Sequence, residues 1–209
     1  MSTWISRGRL VALGLALALA ACAPQGEDAD DGAPRRIVVA EGAVVVEGPR
    51  GFCVDRAASR AGAAGGLVVL GDCRVLGRTD GPGADPPAIL TVAVAPPEGA
   101  AAGQPSAEDL AAFFETARGR ARLSRAGRAA TVEIHSMGAQ GRAFVIHLTD
   151  RARFPGGAVE PTYWRALAVI NGRWVTLSAY APAGRPHGEA EGRQLLRQLV
   201  QATMRASPG

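Results

Sequence analysis

Tyr163-Trp164-Arg165-Ala166-Leu167-Ala168-Val169-Ile170-Asn171-Gly172-Arg173-Trp174-Val175-Thr176-Leu177-Ser178-Ala179-Tyr180 consists of two runs rich in Trp, Tyr, Val and Leu, joined by Asn-Gly. Asn-Gly tolerates positive φ at both central positions of a two-residue turn, whose twist matches that of the flanking strands. The stretch therefore predicts an antiparallel hairpin of Tyr163–Ile170 with Arg173–Tyr180. Downstream, Glu189–Ala206 places Leu195, Leu196, Leu199, Val200 and Met204 on one side of a helix, with Arg193, Arg197 and Gln201 elsewhere.

Upstream, Thr131–Ser136 and Arg142–Asp150 predict a second hairpin. A three-residue loop, Ala139-Gln140-Gly141, sets Val132 opposite Leu148, Ile134 opposite Ile146 and Ser136 opposite Phe144, giving one apolar face. A two-residue loop mixes the faces, so burial selects the first register. Ser106 opens another helix, with Asp109 in capping-box position and Glu108 in the first turn. Leu110, Phe113, Phe114 and Ala117 form its buried stripe, and Gly119 and Gly127 blur its end.

Toward the N-terminus, Ile37–Ala40 and Ala43–Glu47 are strand candidates, the latter facing Gly51–Asp55 across Gly48-Pro49-Arg50. Leu67–Leu70, Cys73–Leu76 and Ala88–Ala95 follow, the last expected to be buried on both faces. Residues 77–87 and 96–105 are loops. The predicted class is α+β, a mainly antiparallel sheet with two amphipathic helices packed on it. Residues 37–209 form one domain in this reading.

The first 22 residues carry a different message. Arg7 and Arg9 precede an apolar run, Leu10 to Ala21, too short for the roughly 20 residues of a spanning helix. Leu19-Ala20-Ala21-Cys22 resembles the lipobox of bacterial lipoproteins. The resemblance implies a signal peptide over residues 1–21, diacylation of the Cys22 thiol, cleavage before it and acylation of the new amine. Two or more acyl chains anchor stably where one does not. Ala23, in place of Asp, implies the periplasmic face of the outer membrane. An ordinary secretory peptide with Cys22 incidental is the alternative. Residues 22–36, acidic and without a large apolar side chain before Ile37, read as a flexible tether.

Cysteine usage suits that compartment. With Cys22 lipidated, Cys53 and Cys73 remain as an even pair in an oxidising space, predicting a disulfide. All 23 basic residues are Arg. With the many Ala, Gly and Pro, this composition resembles that of small alphaproteobacterial lipoproteins. Loss of Arg7 and Arg9 lowers the formal charge from +4 to +2, so a nucleic-acid partner is not implied despite the basic whole chain. The hairpin Tyr163-Trp164-Arg165…Ile170-Asn171-Gly172-Arg173-Trp174-Val175-Thr176-Leu177, closed by a terminal amphipathic helix, resembles the end of PsbP-like α/β/α sandwiches. That resemblance covers roughly the C-terminal half and implies an accessory or interaction role.

Candidate sites are few. In the chosen register Glu133 lies opposite His147 with His135 diagonal, three donors that could ligate zinc or copper. The alternative is a cross-strand Glu–His pair, and a two-residue turn would separate the histidines. Arg118, Arg120, Arg122, Arg125 and Arg128 could meet anionic lipid head groups, or simply complement a helix C-terminus. Trp164, Trp174, Tyr163 and Tyr180 read as core rather than pocket, and His187 as a solvated loop residue. No nucleophile elbow, HExxH or phosphate-cradling glycine pattern occurs. The expectation is a lipid-anchored envelope protein that binds or assists, with no catalytic residue and no cofactor. A periplasmic metal-binding protein is the alternative, and a hydrolase assembled only by folding a third reading. The expected partners are the membrane itself and an envelope complex or anionic lipid.

Overall fold

A computed structural model describes residues 32–97, 105–153 and 155–209. The predicted signal peptide, Cys22 and most of the acidic tether lie outside these residues. The described chain runs β1 (Arg36–Val39), β2 (Val44–Glu47), β3 (Phe52–Val54), β4 (Arg60–Gly62), β5 (Gly65–Asp72) and β6 (Ile89–Val94). It continues with α1 (Ala107–Glu115), α2 (Ala117–Leu123), β7 (Val132–Gln140), β8 (Ala143–Asp150), β9 (Val159–Ile170), β10 (Arg173–Pro182) and α3 (Glu189–Ala206). Every strand pairing is antiparallel, and the class is α+β.

The large sheet has the order β3-β5-β6-β10-β9-β8-β7, with β4 on β5; β1 and β2 form a separate pair. The Asn-Gly hairpin forms at its centre, with Ile170 opposite Arg173 and Tyr163 opposite Tyr180. Asn171 and Gly172 have φ of 46° and 71°, the conformation that Asn-Gly makes affordable. α3 spans the expected residues, and Leu195, Leu196, Leu199 and Val200 are buried against one sheet face. Phe114 of α1 and Leu123 of α2 are buried with Phe144, Ile146 and Leu148 of the other face. Helices thus lie on both sides of the sheet. No helix among the described residues is long and apolar enough to cross a membrane.

Several local expectations are corrected. Val44–Glu47 pairs with Arg36–Val39 rather than with Phe52–Val54, which joins β5 instead. The cause lies in Pro34-Arg35: their carbonyls accept from Val54 N–H at 2.7 Å and Gly48 N–H at 2.9 Å, taking the place of a hairpin partner. Cys73–Leu76 is a turn, closed by Leu76 N–H to Asp72 O and by Arg74 N–H to the Asp72 carboxylate. Cys53 and Cys73 do form the disulfide, tying β3 to the residue that follows β5.

The helix opened by the Ser106/Asp109 capping box ends at Glu115, because Thr116 is extended and caps the start of α2 with a bond from Gly119 N–H to its Oγ1. Three α-helices result among the described residues. Gly119 lies inside α2, where a Cβ would fall 2.0 Å from the Phe113 carbonyl oxygen, so only glycine lets α2 turn back onto α1. Ala117 is accordingly exposed, and Phe113 is only partly covered.

The β7–β8 hairpin does not take the three-residue loop expected from burial but closes on a two-residue turn, the alternative. Its turn is the two-residue Gly141-Arg142, with Gln140 opposite Ala143 and Met137 opposite Ile146. Beyond a bulge at His135 the ladder shifts, and Ile134 faces Leu148 and Val132 faces Asp150. The extra residue resets the two-residue alternation, so Val132, Ile134 and Met137 all meet the core beside α1. Finally, β6 is not buried on both faces: Leu90, Val92 and Val94 are buried, whereas Ile89, Thr91 and Ala93 are half-exposed.

Candidate functional site

The half-exposed face of β6 belongs to a trough. Register fixes its floor as rows across the sheet: Leu67–Ala93–Thr176, Val69–Thr91–Ser178–Arg165, and Ile89–Tyr180. On β7 the same face is packed by α1 and α2. Over β5, β6 and β10 it instead lines a trough of about 800 Å³. Two of the four most exposed large apolar side chains of the described residues, Leu67 at 40 % and Val75 at 83 %, belong to its lining. Apolar area left open in a concave site is the ordinary signature of ligand binding.

A polar joint closes the β9 side. Arg165 Nε donates to Ser178 Oγ at 3.2 Å, Nη2 to Tyr180 OH at 3.3 Å and Nη1 to the Leu123 carbonyl at 3.4 Å. All three acceptors are neutral. Arg125, at the end of α2, approaches the Asp150 carboxylate at 3.5 Å and donates through Nη2 to the Asp150 and Ala152 carbonyls. Both guanidinium groups lie over the Tyr163 ring, at 5.1 Å and 5.7 Å from its centroid. Burial pushes the Tyr163 phenol well above its usual range, so it stays neutral. Asp150 is fully buried, yet its pKa is lowered: burial favours the acid, but the N–H groups of Arg125 and Ala152, Thr131 and the Arg125 charge outweigh it.

The opposite side is acidic. Asp55 lies beside β5, its N–H donating to Val69 O, and the Asp72 carboxylate accepts from Arg74 and Ala84 N–H groups. Arg185, exposed, sits on the rim with Pro182.

The sequence-derived metal candidates come together on the other face, though not as expected. Glu133 faces Thr149 and His147 faces Ser136, because the His135 bulge consumes one position. His135 Nδ1 is 3.9 Å from Glu133 Oε1, and its ring is 4.9 Å from that of His147. These groups are engaged elsewhere: Arg151 holds Glu133 at 2.6 Å, Thr149 Oγ1 lies 2.8 Å from His135 Nε2, and His147 stacks on Trp164 at 4.3 Å. Among the described residues no group of three or more His, Cys, Asp or Glu side chains is placed to hold a metal ion. Burial first, and then the neighbouring His135 charge, lower the His147 pKa.

The five-arginine stretch divides. Arg118, Arg122 and Arg128 are exposed, Arg120 donates to the Glu115 carbonyl, and Arg125 turns inward to Asp150. Tyr163, Trp164 and Tyr180 are buried, Trp174 half-buried, and His187 Nε2 lies 2.8 Å from the Pro87 carbonyl.

Sequence reasoning did not reach Arg165, Ser178 or Leu67 as site residues. A signal existed: a charge at the centre of an apolar strand, and Thr91, Thr176 and Ser178 at alternate positions of strands otherwise apolar. No protein-family model matches the chain, and no curated protein or solved structure matches it either.

Proposed function

We propose that this is a lipid-anchored cell-envelope protein, held at the periplasmic face of the outer membrane, that acts by binding, with the trough as its binding surface. The observation that carries the binding reading is the trough of about 800 Å³, with its half-exposed apolar floor between a cationic side and an acidic one. The anchor rests on Leu19-Ala20-Ala21-Cys22 and its charged, apolar leader. The disulfide between Cys53 and Cys73 fits an oxidising compartment. The likeness of the C-terminal half to PsbP-like domains points toward the same accessory role. No catalytic residue, cofactor or resident metal belongs to this reading.

Two measurements test it. Cys22→Ser should move the protein from the membrane to the soluble fraction, and unchanged fractionation overturns the anchor. The full chain, extracted from membranes in mild detergent, should carry a small molecule in native mass spectrometry that the trough-filling Ala93→Trp variant loses. Identical spectra for the two proteins overturn the trough.

A further inference from the structure

We infer that the trough takes a single-chain anionic amphiphile, a monocarboxylate of the fatty-acid type, with its head group at Arg165 and its chain laid across β10, β6 and β5. The inference rests on the trough being the binding surface and goes on to name what it selects.

Charge decides the head group. The joint on the β9 side holds two guanidinium groups, Arg125 and Arg165, and one carboxylate, Asp150. Asp150 is committed to Arg125, to the N–H groups of Arg125 and Ala152, and to burial beneath them. Among the described residues Arg165 hydrogen-bonds to hydroxyl and carbonyl oxygens, and the Asp150 charge, which also acts on Arg165, is shared between the two guanidinium groups. Two guanidinium groups sharing one anion are poorly placed energetically, and a planar fork of donors matches a carboxylate. A single negative charge balances the Arg125–Arg165–Asp150 joint, with Arg185 a further cation on the rim.

Orientation follows from the far side. Asp55 continues the line of β3 beside β5, four strand spacings from β9, or about 19 Å. Asp72 ends β5 on that same side. A carboxylate is therefore drawn to the β9 side and repelled from the β5 side. Between them Leu67, Val69, Ile89 and Ala93 offer apolar contact, while Thr91, Thr176 and Ser178 keep the middle of the floor shallow and uncharged.

The test uses the full chain in phosphatidylcholine nanodiscs and a diazirine-bearing dodecanoate, with adducts mapped by mass spectrometry and empty discs as background. Adducts should fall on β5, β6 and β10, and dodecanoate should compete them away while dodecanol and dodecyltrimethylammonium do not. Arg165→Gln should reduce labelling by about tenfold or more, the loss expected for a charge-assisted bond. Should Arg165→Gln fold poorly, Leu67→Glu, at an exposed position, places a repelling charge on the floor and should abolish labelling in a folded protein. Equal competition by dodecanol overturns the head-group assignment while leaving the trough as the binding surface. Labelling indifferent to both substitutions overturns the site. A bifunctional amine-free photo-cross-linker, added without the probe, that joins two copies of the chain through β5 and β6 shows a second copy as the occupant and overturns it as well. Loss of the trough reading itself is registered separately, by an Ala93→Trp protein that keeps its envelope ligand.

Discussion

Asp150 shows how a buried charge is kept. Its carboxylate, with no exposed surface, accepts from the Arg125 and Ala152 N–H groups at 2.7 Å and 3.0 Å and faces the Arg125 guanidinium. Its pKa is lowered in the fold, whereas an unfolded Asp titrates near pH 3.9. The stabilisation is thus fully present above about pH 4 and is lost as pH falls through the folded value. Asp150→Asn should cost about 3 kcal/mol at neutral pH, because the Arg125 charge is left without its anion. It should also flatten the acid limb, and urea melts of both proteins between pH 2 and 7 check each part. His147 titrates higher and in the same sense. Burial against Trp164, ahead of the His135 charge, lowers its pKa, so the neutral ring belongs to the folded state. Stability should fall as pH drops below about 6.5, where the unfolded imidazole takes up its proton first. His147→Gln should remove that slope between pH 5 and 7; an unchanged slope places its origin in another group.

At the scale of elements, the bulge at His135 is a parity device. Deleting His135 joins the two halves of β7 in one register, keeps the Gly141-Arg142 turn and leaves Ile134 and Met137 on the core face. Deleting Ala139 also removes the offset, but it turns Met137 to the α3 side and Ser136 to the core beneath α1. The second deletion should therefore be less stable than the first by about 2 kcal/mol, the scale of one lost apolar side chain plus a polar one buried. Matched denaturation curves check the difference, and equal stabilities would falsify the parity argument. The same element marks the limit of what the sequence conveys. Asn171-Gly172, the capping box at Ser106 and the period of α3 are local, and each forms where its residues say. The bulge is chosen by a face that exists only after β8, α1 and α2 assemble. The partner of β2 is likewise chosen by Pro34-Arg35 and not by the turn residues between β2 and β3. Thr116-x-x-Gly119 was a readable cap, but the return of α2 onto α1 depends on the missing Cβ of Gly119 against Phe113.

Across the whole molecule, one sheet face is filled by α3 and the small β1–β2 sheet, while the other is covered over β7 and opens as the trough over β5, β6 and β10. That asymmetry was not legible from one strand at a time. Thr91 and Ala93 look like tolerable core residues in β6, and only pairing with Thr176, Ser178 and Leu67 makes a row of half-exposed positions ending at Arg165. The disulfide belongs to this scale too. Cys73 begins the turn carrying Val75 and Leu76, which rim the trough, and Cys53 holds that turn to β3. With its cysteines 20 positions apart in the sequence, the bridge should contribute on the order of 3 kcal/mol in the chain-entropy model. Its loss should not be felt evenly. The α3 helix packs Leu195, Leu196 and Leu199 into a cluster with Trp164, Ile170, Val175 and Leu177, whereas the residue 73–77 turn depends on the bridge and on bonds to Asp72 and Gly51. Cys53→Ala/Cys73→Ala should therefore exchange amide hydrogens faster in β3 and residues 72–78 than in β9 and α3. Uniform acceleration across the sheet would assign the bridge to global stability alone, and a local change would make it the support of the trough's outer wall.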